Sequence, residues 1–272
     1  MMNETPDKEA IVDETEVVEA SRLSALQIFE VIRRDGVEEL ERPNSSLLWS
    51  GVTAGLLISF SVMGEAFFLA RLPEAEWSTL IASLGYSAGF LLVILGRMQL
   101  FTENTITTII PFSENPSKYW LPVIRLWSIV FAANMVGAVI AAAFITYTSV
   151  LIPEYFDAVI AISLHVSELS VVETILRGIP AGILIAAIVW MLPSLSGAGS
   201  FLAILLFTYL IALGEFTHVV AGAVEVATLV FNGNIGPGAA ILGFVAPAFL
   251  GNVIGGTAVF TLLARRQVLK EI

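Results

Sequence analysis

Six apolar stretches constrain this chain more than any other feature. They are Leu47 to Ala70, Trp77 to Leu100 with a continuation to Pro111, Tyr119 to Ile152, Val171 to Pro193, Ser200 to Phe231, and Ile235 to Ala264. About 20 consecutive apolar residues are enough to cross a bilayer as a helix. Charged residues make up 14% of the sequence and apolar residues 57%, with a mean hydropathy of +0.86. Soluble domains carry about 25% charged residues, so the sequence reads as an all-α integral membrane protein. Three parts are expected: an acidic tail with an amphipathic helix over 1–43, a six-helix membrane domain over 44–265, and a short tail over 266–272.

The net charge of −11 is concentrated at the start. Residues 1–20 hold seven acids against one base, Lys8, which reads as a solvated tail. That stretch has neither the basic start nor the apolar run of a signal peptide. Ala20 to Glu41 sets Leu23, Leu26, Ile28, Val31, Ile32, Val37 and Leu40 among charges, and a helix lying on the membrane surface is expected. Bases gather in three places: Arg33, Arg34 and Arg42, then Lys118 and Arg125, then Arg265, Arg266 and Lys270. The opposite connections have only Arg71 and Arg177. The positive-inside rule then puts both termini in the cytoplasm of a bacterial-type inner (plasma) membrane. With no cysteine, two histidines and no metal-ligand spacing, no metal, cofactor or nucleic-acid partner is expected.

The halves repeat. Gly51-Val-Thr-Ala-Gly55 matches Gly178-Ile-Pro-Ala-Gly182, Phe101-Thr102 matches Phe216-Thr217, and Asn134-Met-Val-Gly137 matches Asn252-Val-Ile-Gly255, in the same order. Three spans per copy is odd, so the second copy must lie upside down. The expected architecture is two inverted three-helix repeats in which helices two and five are broken, with a site near the bilayer midplane. Chance recurrence of small-residue patterns is the competing reading. The paired glycines read as helix-packing positions. Gly233 to Gly238 reads as a turn, since it lacks the lysine of a phosphate loop.

Ionisable residues inside apolar spans point to function because each is costly in hydrocarbon. Here they are Glu65, Arg97, Glu103, Glu215, His218 and Glu225. Glu215, His218, Gly222 and Glu225 fall at i, i+3, i+7 and i+10, one stripe if the helix there is continuous. His218 beside a helix break reads as a functional group, against the alternative of a packed histidine bonded to a carbonyl. Arg97 and Glu103 read equally as a structural ion pair or as pore charge. His165 reads as solvated. A serine hydrolase site built from Ser196, Ser200 and His218 lacks the Gly-x-Ser-x-Gly elbow and lies at a wet boundary. A water channel would need paired Asn-Pro-Ala motifs, and the one Asn-Pro, at Asn115-Pro116, is unpaired.

Gly85-Tyr86-Ser87-Ala88-Gly89-Phe90, Leu100-Phe101-Thr102, His218 and Gly251-Asn252-Val253-Ile254-Gly255-Gly256 together resemble the formate/nitrite transporter family over roughly Asn44 to Ala264. The resemblance implies an aquaporin-like fold and a homopentamer with a pore in each protomer. It implies that Thr102 and His218 meet at the pore centre. Phe90, Leu100 and Phe101 would form the cytoplasmic constriction and Tyr86 the periplasmic one. The break in span two would run from about Leu100 to Asn104. The expected solute is a small monovalent anion such as formate or nitrite. The chain departs from the family pattern at several points. Ile211 replaces an aromatic, Gly182 and Gly222 stand where asparagines are usual, and the outer connection has Glu168 and Glu173 in place of a lysine. Arg97, Glu103, Glu215 and Glu225 are candidate pore-lining charges. The acids at the mouth favour an alternative, a neutral or cationic small solute.

Overall fold

A computed structural model describes residues 23–269, so the acidic tail, the start of the amphipathic segment and Lys270 fall outside the described residues. Helix α1, Ala25–Glu41, begins with a capping box in which the Ser24 hydroxyl accepts from the Gln27 amide and the Gln27 side chain accepts from the Ser24 amide. Among the described residues, five helices are long and apolar enough to cross a membrane: α2 Asn44–Leu69, α3 Ser78–Leu95, α6 Pro116–Tyr147, α8 Val171–Ser194 and α11 Pro237–Val268. Two short helices, α4 Phe101–Thr107 and α5 Ile109–Glu114, continue from α3. The fifth apolar stretch comes as two pieces, α9 Ala198–Leu213 and α10 Val219–Phe231, each too short to span by itself.

The long connection after α6 is not merely a loop. It folds as α7, Pro153–Ser167, whose Ala158, Val159 and Ser163 are buried. Pro153 opens it at the first helical position, where its missing amide costs nothing. The opposite end of the bundle is closed by α1. There Phe29 and Ile32 pack with Ile106 and Ile110, Val189, and Val268 of α11.

The long helices pair closely, α2 against α6 and α8 against α11. Gly55 makes the first approach possible, because a Cβ there would overlap the carbonyl oxygen of Asn134. Gly182 does the same in the second pair, against the carbonyl oxygen of Asn252. This gives Gly182 a packing reason for standing where the resemblance implies an asparagine. Outward faces carry large exposed apolar side chains such as Phe144, Val172, Leu242 and Leu263. Lipid tails solvate such faces and water does not.

Candidate functional site

Two helix breaks make the site, and both are built from the same parts. In the first, α3 stops at Leu95, Arg97 takes a left-handed φ of 53°, and Leu100 turns extended before α4 starts at Phe101. In the second, α9 stops at Leu213, Glu215 takes a φ of 51°, and His218 turns extended before α10 starts at Val219. A left-handed residue other than glycine is held at a cost of order 1–3 kcal/mol, so the surroundings must fix it. One asparagine does so at each break. Asn134 Oδ1 accepts the Phe101 amide at 2.8 Å, and its Nδ2 donates to Gly51 O at 2.8 Å and Gln99 O at 2.9 Å. Asn252 Oδ1 accepts the Val219 amide at 2.9 Å, and its Nδ2 donates to Gly178 O at 2.9 Å and Thr217 O at 2.8 Å.

This geometry corrects two expectations. The first break covers Gly96 to Leu100 and lies upstream of the expected segment, because Phe101 to Asn104 already belong to α4. The equivalence between breaks is Arg97 with Glu215 and Leu100 with His218, an offset of 118 that Asn134 and Asn252 share. The two Phe-Thr pairs are therefore not equivalent: Phe101 opens a helix, whereas Phe216 lies within a break. The stripe from Glu215 to Glu225 is interrupted for the same reason, and only His218, Gly222 and Glu225 belong to α10 and its cap.

The starts of α4 and α10 meet. Thr102 Oγ1 and His218 Nε2 lie 2.8 Å apart, and both residues are buried. His218 Nδ1 accepts the Ala221 amide at 3.3 Å, capping its own helix. With Nδ1 accepting, the neutral ring carries its proton on Nε2 and donates it to the Thr102 hydroxyl. The Phe90 ring stands edge-on to the imidazole at 4.9 Å, and Tyr86 leans on Phe90 at 5.3 Å. Phe90 and Leu100 are fully buried. Phe101 turns elsewhere, stacked at 5.0 Å on Phe249 in a cluster with Trp127 and Phe131.

A cavity opens on each side of this plug. One, of about 260 Å³, is reached from the α7 end and is lined by Tyr86, Ile211, His218, Phe244, Glu65 and Glu225, among others. The other, of about 470 Å³, lies under α1 and is lined by Arg97, Gln99, Glu103, Thr107, Asp35 and Glu39, among others. Neither reaches Phe90, Leu100, Phe101 or Thr102.

The charged candidates separate accordingly. Glu215 sits at the mouth of the α7 cavity and accepts from Arg177 at 2.6 Å, with His165 Nε2 at 3.1 Å. His165 is exposed, in line with the expectation that it is solvated, and is also a partner of Glu215. Arg97 and Glu103 both line the α1 cavity, but no ion pair joins them among the described residues, and Glu103 Oε1 has no hydrogen-bond partner. Glu225 lies on the other side of the plug with Glu65. No group of three or more potential metal ligands occurs among the described residues.

Sequence reasoning missed Glu39. Its carboxylate accepts from Gln99 Nε2 at 3.3 Å, Asn104 Nδ2 at 3.2 Å and Thr107 Oγ1 at 2.7 Å. Burial pushes this carboxyl above its ordinary range, while the Thr107 and Gln99 hydrogen bonds pull it back. On an amphipathic helix one more acid looks like surface charge. The available signal was Gly36 three residues earlier, where α1 comes against the Thr107 carbonyl with no room for a Cβ.

Comparison with known proteins agrees with this architecture. The formate/nitrite transporter family profile matches residues 26–265. The chain is 40% identical over 249 residues to the inner membrane protein YfdC of Escherichia coli (strain K12), covering 91% of this chain and 80% of that one. An FNT family ion channel superposes with a TM-score of 0.79 at 17% identity, covering 89% of this chain and 99% of the other. A pentameric formate channel with formate bound superposes with a TM-score of 0.73 at 18% identity, covering 84% and 98%. The paired breaks, the Thr102–His218 contact and these matches have one reading: the chain is a membrane channel or transporter belonging to the formate/nitrite transporter family.

Proposed function

We propose that each protomer conducts a small monovalent weak acid of the formate or nitrite kind along a path between α4 and α10. The observation that carries this is the 2.8 Å Thr102–His218 contact inside an otherwise apolar plug. A solute there finds one hydroxyl and one imidazole between two cavities that do not join, so a compact solute with one or two polar atoms fits best. Tyr86 and Ile211 narrow the approach from the α7 cavity, and Phe90 and Leu100 form the barrier. Phe101 braces that barrier from its aromatic cluster. Arg97 and Glu103 belong to the α1 approach, Glu215 and Glu225 to the α7 approach.

The same reading takes α3 with α4 as the second of six spans and α9 with α10 as the fifth, in two inverted three-helix repeats over 44–265. The two asparagine clamps support it, since they use the same atoms in the same roles. It makes the protein a homopentamer in the inner membrane with both termini cytoplasmic, so that the α1 cavity faces in. The pentameric neighbour and the gathering of Lys and Arg at the α1 end support these assignments. A second reading, passage of a neutral or cationic solute, rests on Glu65 and Glu225, while the bases at that mouth are held by Glu215.

Uptake into proteoliposomes of formate, nitrite, ammonium and an uncharged solute of similar size separates the readings. Saturable formate or nitrite flux, with a changed pH dependence in His218→Asn, is expected. Ammonium flux with neither acid moving would overturn the weak-acid assignment.

A further inference from the structure

Glu65 and Glu225 share the α7 cavity without a base of their own. Glu225 is 6% exposed and follows His218 by two helical turns on α10. It lines the cavity, as Glu65 does from α2, and no hydrogen bond is found for either carboxyl among the described residues. The other polar residues lining this space, apart from those at its mouth, are Thr79 and Tyr86 from α3, Thr217 and His218, with Phe244 from α11. Helix α6, packed along the other side of α10, puts no residue into the cavity. The basic groups at its mouth, Arg177 and His165, converge on Glu215.

Two carboxylates cannot both stay ionised at low cost in a small, mostly apolar cavity within a membrane span. Each charge loses hydration, and each repels the other. Such a site must take up a positive charge, either a proton or a small cation. A proton is favoured here because the cavity adjoins a plug whose one polar pair cannot strip water from an ion.

We propose that Glu65 and Glu225 form a proton-holding pair that loads the solute before it enters the plug. The step is a plain acid–base exchange, and it rests on the weak-acid reading above. The O–H bond of the protonated carboxyl breaks, a new O–H bond forms on the solute oxygen, and the negative charge moves from solute to the pair. A proton from water at the cavity mouth restores the carboxyl. The solute then crosses Phe90 and Leu100 as a neutral acid. The proposal gives the acidic α7 cavity a role in moving anions, which a fixed negative field would otherwise repel.

The test is infrared difference spectroscopy of the full chain in lipid at neutral pH, comparing wild type with Glu225→Gln and Glu65→Gln. A protonated-carboxyl band present in wild type and lost or shifted in each variant is expected. Glu225→Asp, which keeps a carboxyl, should retain a displaced band and covers the case in which a glutamine variant does not fold. Coincident wild-type and variant spectra in that region would overturn the proposal. So would loss of the band on adding ammonium chloride, with no loss in sodium chloride, since the cavity would then hold a cation. Formate uptake is measured alongside, and the glutamine variants should lose its dependence on external pH. If wild type carries neither formate nor nitrite while the band is present, the solute assignment fails and the proton-holding pair stands.

Discussion

Asn134 and Asn252 stand 118 residues apart and make the same three hydrogen bonds. Each takes the first amide of a short helix and satisfies two carbonyls at a break. Asn252→Ala therefore orphans one amide and two carbonyls in a buried setting. At about 1–3 kcal/mol for each unsatisfied group, the loss should be about 3 kcal/mol or more. Thermal unfolding in detergent should show a clear fall for Asn252→Ala and for Asn134→Ala. Exposed Asn232→Ala should change little, and equal stability of all three would remove the clamps from the account.

Thr102→Val keeps the shape of the plug and removes the acceptor for His218 Nε2–H. A buried imidazole without a partner should disturb both flux and its pH dependence. His218→Asn should alter the pH dependence as well. The check is flux against pH in proteoliposomes for the two variants and wild type. Superimposable profiles would make the pair a packing contact.

The α7 mouth allows a direct test of charge. Val166 lines that cavity, and Val166→Lys places a base there that Glu215 does not already hold. Anion uptake should rise, most at low ionic strength where screening is weakest. Uptake indifferent to the lysine at low salt would show that entry does not pass this side of the cavity.

Docking of α1 should depend on pH through Glu39. Burial raises its pKa above 4.5, so the folded form holds the proton more tightly than the unfolded chain does. By linkage its contribution is fully present below pH 4.5 and is lost as pH rises through the raised value. Hydrogen exchange of residues 25–41 should accelerate over that window, beyond the intrinsic base catalysis of exchange. In Glu39→Gln the excess acceleration should vanish; its persistence would assign the pH response to another group.

Gly222 packs against the Cε1–Cζ edge of Phe244, and a Cβ there would overlap the ring. Gly222→Asn should push Phe244 aside, admit water next to His218 and loosen selectivity. The measurement is the ratio of formate to larger monocarboxylate flux. An unchanged ratio with normal folding would take Phe244 off the path.

Much of this was legible in the sequence. The six apolar stretches are set by bilayer thickness, and the ionisable residues within them fall in the two cavities because hydrocarbon tolerates few. The exact register of the breaks was not. Matching Phe101-Thr102 to Phe216-Thr217 follows residue type, whereas the breaks follow backbone role, which aligns Leu100 with His218. Nor was the state of Glu215 legible, because its partners Arg177 and His165 come from 38 and 50 residues away in the chain. Glu39 was hidden by its surroundings, one acid among several on an amphipathic helix.

The long helices have a consequence for the lipid around them. Helix α6, at 32 residues, is about 48 Å long at 1.5 Å per residue, against a hydrocarbon core of about 30 Å. Its ends are free to tilt or emerge as membranes thin or thicken. Asn134 lies near its middle and ties that middle to the start of α4. The start of α4, and with it Thr102, is thereby anchored to the part of α6 farthest from either membrane surface, where a change in bilayer thickness acts least.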